Sequence, residues 1–197
     1  FVAPAVRDFA LVASDRFHTA QAEQDGVLVS AYATDAARAR EMLDYGKKAL
    51  ACFSARYGAY PYQSYTLCEI SFPMGGMEYP ALAMIASDRL DAGGETLEMV
   101  VAHEAAHQWW YAVVGSDPVN QAWQDEALSQ FSMLEYLEDR YGLARREEYE
   151  QQELESALRV TVPRSVTPGA PLDRFSSMSE YSLVVYDRGA AMLCALD

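Results

Sequence analysis

The chain is poor in cysteine, in histidine and in positive charge. Its three cysteines, Cys52, Cys68 and Cys194, are odd in number and widely spaced, so no disulfide framework is implied and the redox compartment stays open. Fifteen lysines and arginines stand against twenty-nine aspartates and glutamates, a formal net charge of −14. That imbalance argues against nucleic acid and anionic membrane surfaces as partners. There is no apolar run long enough to span a bilayer and no signal-peptide pattern. No membrane contact is therefore expected from this segment, and its localisation stays unknown. What is abundant is apolar surface: 51% of residues are hydrophobic and 12% aromatic, enough for a packed core. The 197 residues suit one sizeable domain. The chain begins at Phe1 and stops inside an apolar helical pattern, GAAMLCALD, and so reads as a piece of a longer protein.

Strand signals come first and helix signals follow. Residues 8–33 read as two strands around an Asp-Gly turn at 25–26. Residues 35–57 open on an Asp N-cap, carry Leu43, Leu50 and Phe53 at helical spacing and stop at Gly58. SYTLCEISF (64–72) is a strand, MGGMEYP (74–80) a glycine-rich irregular segment, and ALAMIAS a short strand. Helices are predicted over about 95–114, 123–141 and 145–160, then a proline-rich loop over 161–174, then a last helix from about 179. Strands followed by helices make the class α+β, a small mixed sheet followed by a helical portion.

The scarcity of histidine gives weight to VAHEAAHQWW (101–110), which holds two of the three. Residues four apart share a helix face, so His103 and His107 can aim at one point. Zinc needs about 2.0–2.1 Å to each nitrogen, which this spacing permits. Glu104 lies further round the helix, too far to be a ligand but placed to take a proton from a metal-activated water. The flanks, MVVA before and WW after, supply the apolar shell such a site needs. A bare H-E-x-x-H is also compatible with two packed core histidines.

A catalytic zinc takes three protein ligands and keeps one position open. Eighteen residues separate His107 from Glu126, in WQDEALSQF near the start of the next helix. A short loop and an antiparallel return would bring Glu126 back over the histidines, with the zinc site between helices. Asp125 and Glu135 are the nearby alternatives. A first-turn carboxylate also suits the helix dipole without any metal.

At this point the chain resembles the M1 family of zinc aminopeptidases, the gluzincin group, whose catalytic domain is thermolysin-like. The resemblance is carried by His103, Glu104, His107 and Glu126 at that spacing, by HQWW (107–110), by GGMEYP (75–80), by YSLVVYDRG (181–189) and by the opening strand VRDFALVAS (6–14). It spans essentially the whole chain, residues 1–197, as one catalytic domain. It implies one Zn2+ per chain held by His103, His107 and Glu126, with Glu104 as general base. It implies Glu78 as the anchor for a substrate's free α-amino group, with Gly75, Gly76 and Met77 on the strand beside the substrate. It implies Tyr186 as donor to the oxyanion and Tyr181 as a second tyrosine lining the site. The partners would be peptides with a free N-terminus and the parent's flanking domains, an N-terminal β-domain and a C-terminal helical domain, neither of them in this sequence. An isolated fragment would then be weak or inactive, because catalysis needs an enclosed, water-poor site.

Several positions depart from the family pattern. Tyr79 stands where Asn is usual, and Gln124 and Asp125 precede Glu126 where the usual residues are Leu and Asn. Two alternatives follow. One is a zinc endopeptidase, which Glu78 argues against, or an epoxide-hydrolysing relative. The other is a catalytically dead, zinc-stabilised binding module, supported only by the altered positions.

Overall fold

The Asp-Gly turn forms as its residues require. Asp25 and Gly26 both have positive φ, 51° and 82°, the twist that suits a two-residue hairpin. It joins β1 (His18–Gln24) to β2 (Val27–Ala33), antiparallel, with Gln24 opposite Val27. The computed structural model describes residues 6–196, and these fall into two units divided between Val113 and Val114.

In the first unit, β2 feeds helix α1 (Ala36–Tyr57), capped by Asp35, whose carboxylate accepts from the N–H groups of Ala37 and Arg38 at 2.8 and 2.9 Å. Gly58, at φ 103°, ends it. The buried face of α1 carries Ala39, Met42, Gly46, Ala49, Leu50 and Phe53. Gly46 permits the closest approach to the sheet, since a Cβ there would lie 2.3 Å from Leu67 Cδ1. A crossover of this length is what a parallel pair demands, and β3 (Ser64–Ile70) indeed runs parallel to β2. β5 (Leu82–Ala86) runs parallel to β3, and β4 (Gly76–Tyr79) pairs antiparallel with β5. The sheet order is β1-β2-β3-β5-β4. Two short helices' worth of chain follow: α2 (Ser87–Ala92), then the histidine-bearing α3 (Gly94–Ala106).

Three sequence expectations need correction here. VRDFALVAS is no strand: residues 6–14 make no ladder, and side-chain contacts hold Arg7 and Asp8 instead. Arg7 donates to the Tyr111 carbonyl at 3.3 Å and covers its ring at 4.3 Å, while the Tyr111 hydroxyl donates to Asp8. The segment 74–80 is not irregular throughout, because pairing with β5 makes Gly76–Tyr79 an edge strand despite its weak strand composition. The helix expected to reach Val114 ends at Ala106. Aromatic packing overrides the apolar periodicity there: Trp109 sits edge-on to Phe53 at 5.9 Å and donates to the Gly58 carbonyl at 3.0 Å, and Trp110 meets Tyr57 at 5.0 Å.

The second unit is helical. α4 (Trp123–Tyr141) ends at Gly142, φ 87°, as its sequence signals. The expected helix over 145–160 is realised as α5 (Leu143–Tyr149), a π-helical turn (Glu150–Leu154) and α6 (Glu155–Arg159). Buried Arg146 binds Glu135, Glu138 and Glu150 at 2.5, 2.9 and 2.8 Å. After the loop, α7 (Met178–Tyr181) passes into a π-helical segment (Ser182–Arg188) and α8 (Gly189–Cys194). Gly189 lets α8 meet α4, where a Cβ would lie 2.5 Å from that of Ala127. Among the described residues no helix is long and apolar enough to cross a membrane. The class is α+β, a small mixed sheet followed by helices.

Within the π-helical segment, burial, reinforced by the charge of Glu153, pushes Asp187 up to about 6. The folded state therefore holds this proton more tightly than the unfolded chain, and stability falls as pH rises from about 4 to about 6. Asp187→Asn is expected to raise the melting temperature at pH 8 and to change it little at pH 3, measured by scanning calorimetry. An equal gain at both pH values would contradict the assignment.

Candidate metal centre and substrate strand

His103 lies in the last turn of α3, and His107 is the residue that caps it, still in helical conformation at φ −61°, ψ −15°. Their Nε2 atoms are 3.1 Å apart. Two tetrahedral ligand atoms at about 2.0–2.1 Å from zinc stand ~3.3 Å apart, so the imidazole pair fits one ion. The early end of α3 matters to this. The chain turns back after His107, Ala112 N–H donating to its carbonyl at 3.0 Å, and presents the Trp110 carbonyl 3.1 Å from His107 Nδ1. A carbonyl only accepts, so Nδ1 carries the proton and Nε2 keeps its lone pair for the shared point. His107 is buried and His103 half-buried.

Glu104 is buried, 5% exposed, and leans against strand β4. A Cβ on Gly76 would lie 2.1 Å from Glu104 Oε1 and 2.6 Å from its Cγ, so only glycine leaves room for this side chain. Glu78, two residues along β4, is half-buried. Glu78, Glu104 and His107 each offer a potential ligand atom, all within 4.8 Å of one another. Gly75 precedes the strand and accepts from Ala86 N–H at 3.1 Å, and Met77 lies opposite Met84. Burial first, then Asp8 and the charge of Glu78, push the Tyr111 phenol well above its usual range. The first unit thus gathers His103, Glu104, His107, Gly76 and Glu78.

The second unit holds the other candidates. Of its three candidate carboxylates, Asp125 is buried and accepts from Ser116 Oγ at 3.0 Å and from the Glu126 N–H at 2.8 Å. Glu135 is paired with Arg146. Glu126 is half-buried on the first turn of α4. Tyr181 and Tyr186 stack edge-on at 5.7 Å, with Phe175 against Tyr181 at 5.3 Å. Their five-residue spacing would separate them on an α-helix, and the π-helical segment, with its i to i+5 bonding, brings them to one face.

Residues 41–197 match the peptidase family M1 domain. The chain belongs to peptidase family M1. This M1 chain is 35% identical over 127 residues to aminopeptidase N of Lactobacillus helveticus, covering 58% of the chain and 15% of that relative. It is 31% identical over 152 residues to leukotriene A-4 hydrolase of Xenopus laevis, covering 71% of the chain and 24% of that relative. With aminopeptidase B of Rattus norvegicus it shares 32% over 78 residues, 39% of the chain and 12% of that relative. The chain thus spans a quarter or less of the length of these relatives.

Sequence reasoning missed two features of the M1 chain's site region, the Tyr111–Asp8 pair and the buried Gln108. The first had no local signal, since the partners lie 103 positions apart. The second stood in plain view in HQWW.

The Gly76 contact yields a direct test. Gly76→Ala is expected to drive Glu104 to a new rotamer in a crystal structure of the variant, with the His103–His107 separation unchanged. It should also cost about 1–3 kcal/mol of stability by overpacking. A variant with Glu104 in its original place would show that the strand yields instead.

Proposed function

We propose that this chain is the catalytic portion of a zinc-dependent aminopeptidase, removing the N-terminal residue from peptides. One observation supports the exopeptidase reading above the others: a second carboxylate, Glu78 on an edge strand, stands within 4.8 Å of Glu104 and His107 ligand atoms. Two carboxylates so close favour a cation between or beside them. The α-ammonium of a peptide is such a cation, whereas an internal peptide bond offers none. Family membership and the relatives named as aminopeptidases point the same way.

In this reading His103, His107 and Glu126 would hold one zinc ion, a donor set of two imidazoles and a carboxylate that suits this metal. Bound zinc supplies Lewis acidity, which polarises a carbonyl and acidifies water. Glu104 would take the proton of the attacking water and later pass it to the departing amine. Glu78 would bind the substrate ammonium, so that only the first peptide bond reaches the reacting centre. The open edge of β4, with Gly75, Gly76 and Met77, would receive the substrate backbone as an added strand. Tyr186, with Tyr181 against its ring, would donate to the developing oxyanion. Flanking domains of the parent would enclose the cleft, so the chain alone would be a weak catalyst.

Glu104→Gln is expected to keep one zinc per chain by metal analysis and to lower kcat by about 10²–10⁴-fold. A variant retaining most of its rate would remove the general-base role. Glu78→Ala is expected to raise KM about tenfold or more for free-amine substrates, assayed on aminoacyl fluorogenic amides beside their N-acetyl forms. An unchanged KM would sink the amine anchor.

A further inference from the structure

Gln108 follows the second histidine and is 0% exposed. It lies outside the metal and acid–base chemistry proposed above, yet both ends of its amide are engaged. Oε1 accepts from the Ala81 N–H at 2.8 Å and from the Tyr60 hydroxyl at 3.3 Å, and Nε2 donates to the Tyr79 carbonyl at 3.1 Å. Two of these three partners are backbone groups of the turn that joins β4 to β5, in which Tyr79 pairs with Leu82 across Pro80 and Ala81.

That turn needs holding. Ala81 has φ 61°, a left-handed conformation that a non-glycine residue adopts at a cost and keeps only when its surroundings over-determine it. Here both of its backbone polar groups are fixed: the N–H by Gln108, and the carbonyl by the Thr66 N–H at 2.9 Å. The bond to residue 79 goes to the main chain, so it does not depend on which side chain stands there. Glu78 is the next residue back along β4.

We propose that Gln108 is the positioning residue that locks strand β4 onto the end of the histidine helix, so that Glu78 stands at a set distance from His107. The role of Glu78 rests on the aminopeptidase reading above, while the clamp rests on hydrogen bonds alone. Its side-chain amide acts as a rung between a helix end and a turn, two pieces of chain that no backbone hydrogen bond joins among the described residues. Without it the half-buried Tyr79 carbonyl and Ala81 N–H lose this partner, and the turn is released at the strained residue.

The test uses Gln108→Met, of similar length and without hydrogen-bonding capacity, in the zinc-loaded protein. Zinc content should stay at one per chain, KM for a free-amine aminoacyl amide should rise about tenfold, and kcat should fall by less than KM rises. Amide exchange at Ala81 should accelerate by at least about tenfold. A folded, zinc-loaded variant with wild-type KM and wild-type exchange at Ala81 would overturn the clamp. If the Met variant does not fold, Gln108→Glu keeps the acceptor for Ala81 and, once ionised, replaces the donor to Tyr79 with a second acceptor. There KM should rise with Ala81 still protected, and a wild-type KM would again overturn it. Wild-type protein that hydrolyses N-acetylated and free-amine substrates equally would instead defeat the aminopeptidase reading, and faster exchange at Ala81 in the Met variant would still support the clamp.

Discussion

Glu104 can lie against strand β4 only because position 76 has no side chain, and much of the site region in the first unit is arranged around that contact. A helix and an edge strand rarely come close enough for a glutamate to rest on bare backbone. Here the approach is set from several sides. α1 closes onto the sheet through Gly46, Trp109 anchors the end of α3 to the end of α1, and Gln108 ties the same helix end to the turn beyond β4. The result is a polar cluster inside an apolar shell, with one imidazole already oriented by a main-chain carbonyl. Such orientation removes reorganisation that a metal or a substrate would otherwise have to impose.

The second unit solves a different problem, that of telling three nearby carboxylates apart. The sequence favours Glu126 and offers Asp125 and Glu135 as nearby alternatives. Asp125 is occupied by a serine hydroxyl and a neighbouring N–H, and Glu135 is occupied by an arginine that is itself surrounded by three acids. The proposed third ligand is the one whose position on the first turn leaves it half-buried. Asp125, a departure from the usual family residue, thus acts as a local brace at the start of α4, and the extra negative charge it adds is hydrogen-bonded within its own unit.

Much of this is legible in the sequence alone. The Asp-Gly hairpin, the Asp35 cap, Gly58 and Gly142 as stops, and the pairing of His103 with His107 all follow from local rules, because each depends on residues within one turn or one helix. What was not legible depends on partners far away in sequence. The end of α3 is decided by Phe53, Tyr57 and Gly58 and not by the apolar run that continues past Ala106. Strand β4 exists because β5 pairs with it, and its composition of glycine, methionine, glutamate and tyrosine carries no alternation to announce it. The opening segment departs from its strand-like composition for the converse reason: among the described residues no neighbouring strand pairs with it.

The π-helical segment from Ser182 to Arg188 sets a condition on how the chain can vary in length. A wide turn of this kind is an α-helix accommodating one surplus residue. Removing a single residue between Tyr181 and Tyr186 would let the helix relax to regular winding with the two tyrosines four apart, still on one face. A residue removed from the regular helix beyond it would instead turn everything that follows by about 100°. The tolerance of this stretch to deletions is thus decided by helical phase.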